Sequence, residues 1–177
     1  MISDGVVNCS DTKERFHGLI GVDHEKIKLV KQIVDATGAK LVLSSTWRMG
    51  WFYEGQSGWE SGTEEWHYLR DAFAAQGLYF LDYTPPHKNR HRGTEIQMWL
   101  DSAGEEWDVD SYVVIDDDMF DIRDMHKGHM VKTSFSCGLQ PGAVKMAIDI
   151  LNNEIRNTVV KEMEIRTTRN EQTKQSE

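Results

Sequence analysis

The run Val113–Val114–Ile115 passes without a break into Asp116–Asp117–Asp118, and no other stretch constrains the fold as tightly. Successive β-branched residues favour a strand buried on both faces, whereas adjacent carboxylates need water or a cation between them. A strand ending this way suits a parallel sheet, whose ligands collect outside the carboxyl ends of the strands. Alone, the acidic run would be a solvated surface loop. Behind a buried strand, Asp116 and Asp117 become hard oxygen ligands suited to Mg²⁺, which keeps several waters and is shared with substrate phosphate. Asp121 and Asp124, a little further on, are taken as structural or solvated.

The rest of the chain alternates in the same manner. Asp23 is placed to cap a helix to about Thr37, with Ile27, Val30 and Val34 on one face and Gly38 as its stop. Ala39 to Leu43 predicts a buried strand, followed by Ser44–Ser45–Thr46. Residues Gly50 to Gly62 are rich in Gly, Ser and aromatics, and predict an irregular insertion. A helix over Glu64–Gln76 would bury Trp66, Leu69 and Phe73, and a strand over Leu78–Tyr83 would end before Pro85–Pro86. Gly93–Asp101 predicts a helix, His129–Thr133 a last strand, and Pro141 opens a helix marked by Val144, Ala147, Ile148 and Leu151. Such alternation predicts an α/β fold with a parallel sheet flanked by helices.

A chain of 177 residues holds one core and not two full-sized domains. Residues 1–153 are expected to form that unit, and 154–177 a polar helical extension ending in a disordered tail. The formal net charge of -9 argues against broad electrostatic binding to nucleic acid, though a bound cation can offset it locally. No membrane-spanning apolar run or signal peptide is evident, and two cysteines without CxxC spacing suggest a reduced, cytoplasmic protein.

Three further segments bear on chemistry. In Leu43–Ser44–Ser45–Thr46–Trp47–Arg48, a hydroxyl at a strand end can hold a phosphate oxygen. Arg48 either contacts the substrate or braces the loop against a carboxylate; ordinary turn chemistry is an equal alternative for the serines. In His87–Lys88–Asn89–Arg90–His91–Arg92–Gly93, Arg92 stands at a helix entrance and is the cation best placed for a phosphoryl group. Lys88 and Arg90 read as a solvated basic loop. Ser3–Asp4–Gly5–Val6–Val7–Asn8 by itself is a turn.

Together these segments resemble the HAD superfamily, in particular the small HAD domains associated with RNA-repair proteins, from about Ile2 to Leu151. The resemblance rests on Asp4–Gly5–Val6–Val7–Asn8, Leu43 to Arg48, Arg92–Gly93–Thr94–Glu95–Ile96 and Ile115–Asp116–Asp117, with His129 to Thr133 and Gly138–Leu139 in support. It implies a Rossmann-like parallel sheet with a small aromatic insertion and phosphoryl transfer through an aspartyl-phosphate. It also implies that Asp4 is the general acid/base and gives its carbonyl to the metal. Ser44 would bind the phosphoryl group, with Ser45 as substitute; Arg92 would be the cation, and Asp116 and Asp117 would anchor Mg²⁺. The implied substrate is a phosphomonoester, either a small molecule or a nucleic-acid end. The resemblance leaves oligomeric state undetermined.

One position departs from the pattern. The family's first strand leads into Asp-x-Asp-Gly, and Ile2 occupies the place of its nucleophilic Asp. Loss of most of that central strand is expected to remove buried apolar area and leave neighbouring strands unpaired. Either the chain starts downstream of its natural start, the favoured reading, or it is a HAD domain that binds phosphate or a partner without turnover. A receiver-like regulator is the third class, and fits less well because the Asp cluster lies late in the chain. Trp51, Phe52, Tyr53, Trp59 and Trp66 are expected to pack a lid or the core rather than to stack on a base.

Overall fold

The computed structural model describes residues 5–54 and 63–153. A two-residue hairpin turn joins β1 (Arg15–Phe16) to β2 (Leu19–Ile20). His17 and Gly18 at its tip both have positive φ, the conformation that the twist of short hairpins favours. Strands this short leave no periodic pattern, and the hairpin was not expected from the sequence.

Helix α1 (His24–Thr37) begins where expected, with the Asp23 side chain accepting from Glu25 N. It stops at Gly38, which takes the left-handed conformation and returns its N–H to Val34 O. Its buried residues are Ile27, Val30 and Ile33, so Ile33 faces the core more fully than the expected Val34. Strand β3 (Leu41–Leu43) follows and is buried throughout.

The stretch expected to be irregular starts with a short helix, α2 (Arg48–Phe52). Gly50 is needed there: a Cβ would stand 2.2 Å from Thr63 Oγ1. Thr63 caps α3 (Glu64–Ala74) by accepting from Trp66 N, and α3 buries Trp66, Leu69 and Phe73 as expected. Trp51 stacks on Trp66 at 4.7 Å and meets Tyr83, so these aromatics pack against the core. Trp59 lies outside the described residues.

Strand β4 (Phe80–Tyr83) pairs in parallel with β3. Helix α4 (Arg92–Trp107) runs beyond the expected end at Asp101. Its extension includes good helix formers, and a single Gly within it costs only about 1 kcal/mol. Asp108, at φ 49°, ends it in the left-handed region that Asp tolerates. Strand β5 (Val114–Asp116) pairs in parallel with β6 (Met130–Lys132), and the last helix, α5, occupies 141–153.

Among the described strands, the two parallel pairs are not hydrogen-bonded to each other. They share one core: Leu41, Leu43, Val113, Ile115 and Val131 cluster with residues of α1 and α5. Val114 turns to the opposite face, against Ile96 of α4 and Ile122. A cavity of about 290 Å³ touches Leu41 and Val42 on one side and Val113 and Ile115 on the other. Val30 of α1 and Trp99 of α4 also line it.

Candidate functional site

The carboxyl ends of β3 and β4 are joined through polar side chains. Ser44 Oγ lies 3.0 Å from Thr84 Oγ1, and Thr84 N donates to Leu43 O. Ser45 Oγ accepts from Trp47 N, which turns the chain into α2. Both serines are buried.

Arg48, only 4% exposed, is the hub of this end. Its Nε donates to Thr84 O, its Nη1 to the carbonyls of Ser44 and Ser45, and its Nη2 lies 2.6 Å from Glu95 Oε2. Burial pulls Arg48 below its ordinary pKa, and the neighbouring Glu95 works in the opposite direction. Of the two roles expected for Arg48, the contacts are those of a brace against a carboxylate.

Glu95, 2% exposed, belongs to the first turn of α4. Its Oε1 accepts from His87 N and so ties down the start of the basic segment. Its Oε2 faces Arg92 Nε at 3.8 Å as well as Arg48. Two guanidinium groups therefore share one carboxylate. Arg92 Nη1 is buried and has no acceptor among the described residues. Lys88 and Arg90 are exposed, in keeping with a solvated loop.

The acidic side forms around β5. Asp116 is buried; its Oδ1 accepts from Asp118 N, and its carbonyl accepts from Thr133 N at the end of β6. Gly5, at φ 72°, packs so closely on Asp117 that a Cβ would stand 2.2 Å from its Cγ. Gly5 N donates to the carbonyl and side chain of Asn8, and Val6 O accepts from Leu139 N. The segments that resemble the family's first and last motifs are thus in contact around Asp117. Thr133 Oγ1 is buried and unpartnered among the described residues. Asp118 and Asp124 are exposed, and Asp4 lies outside the described residues.

No group of three or more His, Cys, Asp and Glu stands at metal-binding spacing among the described residues. Mg²⁺ does not require one, since one or two carboxylates with water and phosphate complete its shell. Adjacent carboxylates at a strand end are donors of the right hardness for it.

The start of α4 links the two sides. Gly93 lies against the acidic loop, and a Cβ there would meet Asp121 O at 2.2 Å. Ser44, Ser45, Arg48 and Arg92 thus gather with Thr84 and Glu95 on one side, and Asp116 and Asp117 with Gly5 on the other. Sequence reasoning missed the role of Glu95; its place three residues after Arg92, in a first helical turn, was the available signal.

The family described as the HAD domain in Swiss Army Knife RNA repair proteins matches residues 3–144. No curated protein and no solved structure matches the chain.

Proposed function

The chain belongs to the HAD domains of Swiss Army Knife RNA repair proteins, and on that premise we propose that it carries a Mg²⁺-dependent phosphohydrolase site for phosphomonoesters. The observation that carries this reading is the charge count around buried Glu95: the buried guanidinium of Arg48, the part-buried one of Arg92, a single carboxylate between them, and a buried Arg92 Nη1 without an acceptor among the described residues. A buried excess of positive charge is costly unless an anion completes it. A phosphoryl group supplies that anion, with several oxygens that the planar guanidinium fork can take two at a time.

In this reading Arg92 binds the phosphoryl oxygens and stabilises the charge that develops on them. Ser44, or Ser45 in its place, donates its hydroxyl to the same group. Arg48 acts as the brace that holds both serine carbonyls and Glu95 in register. Asp116 and Asp117 would hold Mg²⁺, with the carbonyl of Asp4 as a further ligand. Bound there, the ion would neutralise and orient the phosphoryl oxygens. With a carboxylate nucleophile at position 2, Asp4 would protonate the leaving oxygen as the aspartyl-phosphate forms and then take a proton from the water that cleaves it. The two parallel strand pairs would be halves of one Rossmann-like sheet within residues 1–153, in a cytoplasmic protein acting on a nucleotide or nucleic-acid end.

The nucleophile is the point of departure. Position 2 carries Ile, whose side chain cannot attack phosphorus. This favours a second reading for the chain as written: it binds the phosphoryl group and does not turn it over. Hydrolysis of p-nitrophenyl phosphate with Mg²⁺ separates the two. The Ile2→Asp chain is expected to hydrolyse it, and Asp4→Asn on that background to abolish turnover. A folded Ile2→Asp chain that binds phosphate but never releases nitrophenol would leave only the binding reading.

A further inference from the structure

We propose that His126 is a positioning residue: it pins the first turn of α4 to the acidic loop and so fixes Arg92 relative to Asp116 and Asp117. This rests on the reading of Arg92 as the cation that meets the phosphoryl group. His126 is fully buried, and none of the site's chemistry uses it. Its Nε2 lies 2.9 Å from Gly93 O, the residue directly after Arg92. Its Nδ1 lies 3.0 Å from the hydroxyl of Tyr112, just before β5. A carbonyl oxygen only accepts, so Nε2 must carry the proton; in the neutral ring, Nδ1 then accepts from Tyr112. The bonding therefore fixes the tautomer as well as the ring.

The neighbours make this a stiff joint. Tyr112 is held on its ring face by His129, stacked at 4.0 Å and 4°. Gly93 sits so close to Asp121 O that no side chain fits between helix and loop. Ile96, Ile122 and Val114 pack together beside it. On the opposite side, Glu95 and Arg48 tie the same helical turn to β3. Arg92 thus projects from a turn anchored at both flanks, and His126 is the polar anchor on the flank that bears the carboxylates.

The test is a double-mutant cycle on the full chain, titrated with inorganic phosphate at saturating Mg²⁺. His126→Leu should weaken phosphate binding about 10-fold or more, the scale of losing an outer-shell support. His126→Gln, which can donate to Gly93 O and accept from Tyr112, should recover most of it. In an Arg92→Ala background, His126→Leu should add nothing, because its effect passes through Arg92. Equal losses in both backgrounds, or no loss in either, would overturn the proposal. Should the unaltered chain not bind phosphate, the phosphohydrolase reading fails, and hydrogen exchange then decides the pin on its own. His126→Leu should speed exchange of amides 95–98 and 119–123 together while 41–43 stay protected. Unchanged exchange there would refute it.

Discussion

Glu95 answers to two cations, and that arrangement sets the energetics of its surroundings. Replacing it with Ala leaves Arg48 buried beside the part-buried Arg92 with no counter-charge between them. Breaking a buried pair in this way costs about 3–5 kcal/mol, so urea denaturation of Glu95→Ala should show a loss of that order. Phosphate should offset part of it, because the anion replaces the missing carboxylate. Tyr68 offers a separate check on local electrostatics. Its hydroxyl donates to Glu14 and accepts from Val22 N. Burial first, and the bond to Glu14 second, push its pKa up to about 12. Folding thus favours the neutral phenol, a contribution fully present below pH ~10, the ordinary Tyr value, and lost as pH rises through about 12. Thermal melts between those limits should fall more steeply for the native chain than for Tyr68→Phe. Parallel curves would contradict the assignment.

Helix α4 is the element that brings the two halves of the candidate site together, and it does so through close approach. Gly93→Ala would place a methyl 2.2 Å from Asp121 O, a backbone atom that cannot swing aside. The expected cost is about 1–3 kcal/mol, typical of overpacking, with phosphate binding weakened as the helix backs away from the acidic loop. Full phosphate affinity in Gly93→Ala would show that the contact does not set the site. The sequence announces α4 by its apolar spacing but not this contact. A lone Gly in a first helical turn looks like a cap or a neutral choice, and only the neighbouring loop shows why no larger residue fits. The β1–β2 hairpin is hidden for another reason: its two-residue strands are too short for alternation to register.

For the molecule as a whole, the legible parts are those where burial leaves a period. Val113 to Ile115, Leu41 to Leu43 and, save for Ile33 in place of Val34, the face of α1 read correctly because these residues pack into the core. The candidate site is legible in its ends and not in its wiring. Ser44, Arg92 and Asp116 stand out at strand and helix termini, whereas the pairing of Arg48 with Glu95 spans separate elements and leaves no local trace. His126 is the extreme case, a single buried His with no pattern around it. The central claim is that these elements converge on an anion at the cation pair. Isothermal titration of the chain with inorganic phosphate at saturating Mg²⁺ tests it most directly. One phosphate should bind, and Arg92→Ala should weaken it about 10- to 100-fold, the scale of a lost charge-assisted hydrogen bond. Phosphate affinity unchanged by Arg92→Ala, or no binding at all, would contradict the account.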